Sequence, residues 1–509
     1  VRVAITNDTV PDNGETFTLK ASNTGGTFDT GTSTIQDDGT GAYFASTSTA
    51  SGVMPATAST LASAMLVSPA DPIANPVVNP ATSTLLNDDR PVSVNDVTVN
   101  EGSPYAVFTV NAVEGQYVKL DLGAAGDTAT PATDLANALE YWNGSAWTPY
   151  TPGTFVAVPA DGDATPGEAA NLLVRVAITN DTVPDNGETF TLKATNTGGT
   201  SDTGAGTIMD DGTGAYFATT SASSGVAPAT ANTPAMPLTV SPADSMTTPV
   251  VNPATTTMLN DDRPVSVNDV TVNEGSPYAV FTVSAVEGQY VKLDLGLAGD
   301  TATLGTDLVN ALEYWNGSAW TAYTPGSFVV VPSDGNGTLN QPGNLLVRVA
   351  ITNDSTPDNG ETFSLKATNT GGTYGTGVGT IKDDGTGTYY PDQAPAMVNG
   401  QYTPVPNPDA VLDDDRPLSV NNVDVNEGSP YAVFTVRGAA GQQVTLTTQS
   451  GTAAGGTTAP TDGSVDYGTV LQYFNGTSWV AYTPGALVTL DSNGQALVRT
   501  AIVNDTPYE

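Results

Sequence analysis

The sequence predicts an all-β chain of tandem two-sheet β-sandwiches, and three observations predict it. Short apolar-polar alternations recur between turn residues, as half-buried strands require. Glycine (53) and proline (36) are abundant beside Thr, Ser and Val, which favours strands and turns over helices. Above all, the chain repeats itself. VRVAITNDTVPDNGETFTLKA at 1–21 returns at 174–194 and, slightly altered, at 347–367. RPVSVNDVTVNEGSPYAVFTV at 90–110 returns at 263–283, and as RPLSVNNVDVNEGSPYAVFTV at 416–436.

The repeats divide the chain into two whole units and two partial ones. Residues 1–38 read as the C-terminal part of a sandwich and 39–91 as a spacer. Residues 92–211 are a complete domain, 212–264 a spacer, and 265–384 a second complete domain. A shorter spacer, 385–417, leads to the N-terminal part of a further domain at 418–509. Val1 lies inside a repeat, so the polypeptide is expected to extend beyond this stretch. The alternative is that one chain's start completes another chain's end by strand donation, giving a head-to-tail filament.

In the first whole unit the strands, in order, are VSVNDVTVN, YAVFTV, YVKLDL, TFVAVP, LLVRVAIT, TFTLKAT and GTIM. Alternation points Phe108, Val110, Val174, Val176, Ile178, Phe190 and Leu192 into one core. A closed barrel is the structural rival. The spacer beginning GTGAYFATT reads as a linker, a glycosylated stalk or an extended hairpin, with Tyr216 and Phe217 expected to pack.

Charge narrows the function. The chain carries 53 acidic and 14 basic side chains, a formal charge of −39, which repels nucleic acid and anionic membranes. It has no Cys and no His, which removes thiolate catalysis, disulfides, His-based zinc sites and any Ser-His-Asp triad. Oxygen ligands alone point to hard cations, calcium before magnesium. No apolar run approaches the ~20 residues that span a bilayer. An enzyme is not expected, since paired carboxylates would be its only tools and the same acids recur unit after unit.

The acids have a pattern. NDTVPDNGE stands at 7–15 and 180–188, and NDSTPDNGE at 353–361. In an up-and-down strand order four acidic segments of the first whole unit meet at one pole: Asn100-Glu101, the loop holding Asp134, NDTVPDNGE, and Asp210-Asp211. An oxygen-only calcium site draws its ~6–8 ligands from loops gathered in this way. The alternative is that the acids are solvated turn formers. The opposite loops carry the turn Asn196-Thr-Gly-Gly-Thr but also Asp161, Asp163 and Glu168, so the polarity is incomplete.

VNEG closing the first strand, TATLGTDL at 301–308, the ND…ETF turn and the final GTI-x-DD together resemble the Calx-β domain family. The resemblance implies an immunoglobulin-like sandwich that binds Ca2+ through its loop acids. Carried over, the ligands are Glu101, Asp134, Asp181, Glu188, Asp210 and Asp211, then Glu274, Asp307, Asp354, Glu361, Asp383 and Asp384. Asp185 and Asp358 join by proximity, and the partial units add Asp8, Asp12, Glu15, Asp37, Asp38, Glu427, Asp466 and Asp505. The chain departs from the family in having Gly212 after the acidic pair, a long spacer and an aromatic hairpin.

Asn87-Asp88-Asp89-Arg90-Pro91 precedes the first whole unit, and Asp413-Asp414-Asp415-Arg416-Pro417 the last partial one. These acids either share ions with the preceding pole or pair locally with Arg90, Arg263 and Arg416. All five tryptophans, Trp142, Trp147, Trp315, Trp320 and Trp479, fall in LEYWNGSAWTPY and its copies. Asn-Gly between alternating runs signals a two-residue hairpin. It reads as a cross-strand cluster capping the sandwich or packing on the spacer, with a sugar-stacking platform as the alternative. The functional expectation is a calcium-stabilised repeat region of a bacterial surface adhesin or fibre. Its partners are neighbouring repeats, identical chains end to end, or glycans. The other readings are a calcium-sensing module and a carbohydrate-binding array.

Overall fold

The computed structural model describes residues 1, 3–41, 78–79, 84–160, 168–217, 251–252, 257–333, 341–457 and 464–504. It forms two compact units, Val1–Pro264 with Asn369–Thr373, and Val265–Thr368 with Tyr374–Glu509. Among the described residues every regular element is a β-strand.

In the whole sandwich of the first unit the strands are β1 (Ser93–Val94), β2 (Val97–Asn100), β3 (Tyr105–Val113), β4 (Tyr117–Leu122) and β5 (Leu135–Trp142). They continue as β6 (Trp147–Pro149), β7 (Phe155–Ala157), β8 (Ala169–Ile178), β9 (Glu188–Asn196) and β10 (Ser201–Met209). Two five-stranded sheets result, ordered β6-β5-β8-β3-β1 and β7-β4-β9-β10-β2. They face each other as a sandwich; the barrel is excluded. Phe108, Val110, Val174, Val176, Phe190 and Leu192 are all buried in one core, as alternation predicts, while Ile178 only packs against its edge. Phe108 and Phe190 meet edge to face at 5.7 Å. A Cβ on Gly206 would stand 2.3 Å from the Phe190 ring, so glycine in β10 makes room for that side chain.

Two strand expectations need correction. VSVNDVTVN is not one strand: it breaks at Asn95-Asp96 and changes sheets. β1 pairs antiparallel with β3, whereas β2 pairs parallel with β10. The Asx side chains fill the gap, Asn95 Oδ1 accepting from the Thr109 amide at 2.5 Å and Asp96 Oδ1 from the Ala205 amide at 2.7 Å. Secondly, the tryptophan hairpin is part of the sheet: β5 pairs with β8, and β6 with β5, so the seven strands read from sequence become ten. Trp142 stands directly opposite Trp147, so the turn is the four residues Asn143–Ala146 and not the two-residue Asn-Gly turn expected. Asn143 Oδ1 holds that turn by accepting from the Ser145 and Ala146 amides, both at 2.9 Å.

The second unit repeats the two five-stranded sheets between Ser266 and Lys382, with Phe281 and Phe363 edge to face at 5.7 Å. Its shorter spacer is ordered and includes a hairpin, Ala396–Val398 with Gln401–Thr403. That hairpin lies on the outer face of the sheet, where Tyr402 joins Val280, Trp315 and Leu346 in a second apolar cluster. In the first unit Phe217 is buried and bridges Tyr105, as its aromatic character predicts. Most of the two longer spacers, and Asp161 and Asp163, lie outside the described residues.

The flanking regions differ. The hairpin Glu15–Ser22 with Phe28–Ile35 keeps the register of β9 with β10, yet Leu19 is 47% exposed where Leu192 is buried. Residues 419–501 build one five-stranded sheet of the same order, Ser419–Val420 beside Tyr431–Arg437, then Gln495–Ala501, Gln472–Phe474 and Trp479–Ala481.

Candidate metal centre

Strand direction brings the acidic segments of the first whole sandwich to one end. β2 and β10 run parallel and finish there, in Asn100-Glu101 and Asp210-Asp211. β8 ends there before NDTVPDNGE, and β5 begins there after Asp134, because the two are antiparallel.

The acids do not form one site but two. Glu101, Asp210 and Asp262 are buried, with one oxygen from each lying within 4.8 Å of the others. Asp134, Asp185 and Glu188 form a second group on the same criterion, half-buried or exposed. In the second unit the counterparts are Glu274, Asp383, Asp413 and Asp415, and Asp307, Asp358 and Glu361.

The buried group is assembled by its neighbours. Asn100 Nδ2 donates to the carbonyls of Thr213 (2.9 Å) and Asn260 (3.1 Å), tying the strand end to the segment that follows the spacer. Asp262 N donates to Asp210 O at 3.0 Å. Glu101 Oε1 accepts from the Asp181 amide at 2.8 Å. Asn260 Nδ2 lies 2.8 Å from Glu101 Oε2, 3.1 Å from Asp210 Oδ1 and 2.6 Å from Asp262 Oδ2. Asp210 Oδ2 is buried with no hydrogen-bond partner.

Electrostatics registers the crowding. Burial, with the charges of Asp181 and Asp262 adding to it, raises the Glu101 carboxyl to about 7 against the opposing Asp181 amide. Burial and then Asp262 push Asp210 up to about 9. In the outer group burial and Asp134 raise Glu188 to about 7. Burial raises Glu274 and Glu361 likewise to about 7. Carboxyls held protonated in this way become ionised ligands once a cation supplies the missing charge.

Several expected ligands stand elsewhere. Asp181 turns its side chain back onto the Val183 amide (2.6 Å) and offers Glu101 its own amide instead; Asp354 does the same with Thr356 and Glu274. Asp211 accepts from Thr213 and Asn186, and Asp384 from Thr386 and Asn359. Asp211 and Asp384 have both oxygens engaged in this way, Asp181 and Asp354 have Oδ1 engaged, and none of the four joins an acidic group. Among the described residues all four acidic groups belong to the whole sandwiches. Asp8, Asp12, Glu15, Asp38, Glu427 and Asp466 stand in no such group, Asp37 meets Asp89 across the shared Asn87 amide, and Asp505 lies outside the described residues. Asp8 and Asp38 close local turns onto Val10 and Thr40, and Asp466 accepts from Ala454.

The Asp-Arg-Pro segments serve both purposes weighed for them, and at 413–415 two acids, Asp413 and Asp415, join the pole. The middle acid pairs with arginine: Asp88 with Arg90, Asp261 with Arg263, Asp414 with Arg416, each at 2.6 Å. The acid after it, Asp262 or Asp415, joins the pole group. Its recurrence after every spacer was the available signal.

The tryptophans build a ladder. Arg175 lies between the rings of Tyr105 (3.8 Å) and Trp147 (4.3 Å) and pairs with Glu140 at 2.6 Å. Arg348 repeats this with Tyr278, Trp320 and Glu313. In the second unit Trp315 is 7% exposed against Tyr402, while Trp320, part-exposed, donates its Nε1 hydrogen to Gln393 O at 2.9 Å. Trp142, Trp147 and Trp479 are part-exposed.

No protein-family model matches the chain, and no curated protein does. The Calx-β likeness thus rests on the motifs. The solved structures similar to it include the Yersinia pseudotuberculosis adhesin InvE, 10% identical over 80% of this chain and 96% of that one, with a TM-score of 0.21. The Pseudomonas aeruginosa CupB6 tip adhesin is 10% identical over 58% and 98%, TM-score 0.16. Mouse clustered PcdhgC3 EC1-3 is 8% identical over 58% and 70%, TM-score 0.25. TM-scores this low carry no argument about role.

Proposed function

We propose that the chain is a non-enzymatic, calcium-ordered structural segment of an extracellular bacterial surface protein, an adhesin stalk or fibre built of repeated sandwiches. The observation that carries the reading is the buried group Glu101, Asp210 and Asp262, with no basic side chain among its members and an unpartnered buried oxygen on Asp210. Burying like charges is costly unless something neutralises them, and an all-oxygen group suits a hard cation. The repetition of the group in the second unit favours a mechanical role over a specialised sensor. Calcium above the weak extracellular range of Kd, ~10⁻⁴–10⁻³ M, would keep such sites filled.

Calcium would neutralise the pole acids and hold the segment after the spacer against the sandwich. Thermal unfolding of the full chain in excess calcium, excess magnesium and excess chelator tests this. A calcium-specific rise in melting temperature supports the reading. Equal melting in calcium and chelator overturns it and returns the acids to solvated turns.

A further inference from the structure

The two buried groups occupy equivalent places but differ in one side chain. Asn260 donates its amide to Asn100 Oδ1 (3.1 Å), and its carbonyl accepts from Asn100 Nδ2 (3.1 Å). Asp413 makes the same pair with Asn273, at 2.7 and 2.9 Å. Position 413 is therefore position 260 of the other unit, with a carboxylate in place of an amide.

That exchange changes what the group needs. At the first pole the Asn260 amide donates among Glu101, Asp210 and Asp262, so part of the negative charge is met from within. A carboxylate at 413 has no hydrogen to give. Glu274 (5% exposed) and Asp383 (1% exposed) each keep a buried oxygen without a partner, as do Asp413 and Asp415. Of the first group only Asp210 does so among the described residues. Arg416 pairs its guanidinium with Asp414 at 2.6 Å and acts on Asp383 only through its charge, as Arg263 does on Asp210.

We propose that the residue opening the segment after each spacer grades the calcium sites. Glu274, Asp383, Asp413 and Asp415 form a tight four-carboxylate site, and Glu101, Asp210, Asp262 and Asn260 a weaker one. The inference rests on the calcium reading of the poles and adds the order in which they fill. Ligand charge count sets calcium affinity over several decades, and a carboxylate contributes more than a neutral amide oxygen. Asn260 carries a second handicap. Its amide must turn over, giving up its hydrogen bonds to the carboxylates, before Oδ1 can face an ion. The spacer end is itself a ligand donor, so calcium binding and docking of that segment are one event.

The test is calorimetric calcium titration of the full chain and of three variants, Asp413→Asn, Asn260→Asp and Asp414→Asn. Asp413→Asn is expected to weaken the tightest site by about tenfold or more, and Asn260→Asp to strengthen the other by a similar factor. Asp414→Asn changes net charge equally beside the same site but should leave the tightest site intact. Melting of Asp413→Asn in chelator, expected at or above the parent value, shows that the variant is folded. Calcium binding by the parent that neither Asp413→Asn nor Asn260→Asp alters overturns the grading and leaves the pole reading standing. Equal losses in Asp414→Asn and Asp413→Asn also overturn it, because net charge would then suffice. No calcium binding by the parent removes both readings together.

Discussion

Two groups of acids stand at one end of the same sandwich, and they live in different solvents. Glu101, Asp210 and Asp262 are covered by the segment that follows the spacer, while Asp134, Asp185 and Glu188 stay half-open to water. Two like charges ~4 Å apart repel by about 1 kcal/mol in water but about 4 kcal/mol at an effective dielectric near 20. The outer group can tolerate its own repulsion; the inner one needs a counter-ion or protons. Burial, more than the number of acids, is what makes the repulsion costly. The chain supplies that burial from residues 260–262, about fifty positions beyond Asp210.

The largest expected effect is on the inner group. Asp210→Asn removes the carboxylate whose Oδ2 has no partner, and with it most of the calcium-dependent stability of that pole. Calcium at a hundredfold excess over Kd stabilises by about 2.7 kcal/mol, so a loss of that order is expected. In chelator the same substitution should be neutral or stabilising, because an amide needs no proton to stay neutral where the Asp210 carboxyl does. Calorimetric melting with and without calcium measures both. If Asp210→Asn left the calcium shift whole, the buried group would not be the site.

Titration separates the groups next. Glu101 and Glu188 sit near 7 in the folded protein against an ordinary 4.5, and Asp210 near 9 against 3.8. The folded state thus keeps protons that the unfolded state releases, and stability falls wherever that holds. In chelator, melting temperature should be highest below about pH 4, fall as pH rises through 7, and keep falling toward 9 as Asp210 ionises. In calcium the fall should flatten, since the ion takes the place of the protons. Glu188→Gln, in the outer group, should remove only part of the fall near pH 7 and shift calcium-dependent melting less than Asp210→Asn does. Equal shifts would erase the distinction between the groups.

Much of this was legible in the sequence. Period-two alternation placed the core, down to Phe108 and Phe190, and strand parity carried four distant acidic segments to one pole. What parity could not decide was which carboxylate faces a group and which folds back onto its own turn. Asp181 and Asp211 have the right spacing, yet each turns Oδ1 onto an amide two residues on. The break at Asn95-Asp96 was hidden because Val-Asn-Asp-Val keeps the alternation while the Asx side chains replace ladder bonds. The tryptophan hairpin was read as an addition to the sandwich because its turn dominated the pattern, although Leu135 and Leu139 already point into the core. For the Asp-Arg-Pro segments the sequence left pole sharing and arginine pairing open, because nothing in the pattern says which of the adjacent acids faces the pole.

Asp211→Asn gives the smallest effect and the finest test. Asp211 is the neighbour of Asp210 in the terminal acidic pair, and the two look interchangeable in sequence. In the structure Asp211 Oδ1 accepts from the Thr213 amide and hydroxyl, while Oδ2 accepts from Asn186 Nδ2 at 3.2 Å. An asparagine keeps the first pair through its own oxygen and sets an NH2 against Asn186, losing one hydrogen bond worth about 1 kcal/mol. That loss does not depend on calcium, because Asp211 gives no oxygen to either acidic group. Melting curves of Asp211→Asn in calcium and in chelator should therefore move down together by the same few degrees. A loss seen in calcium alone would make Asp211 a ligand, and the division of labour between adjacent aspartates would fail.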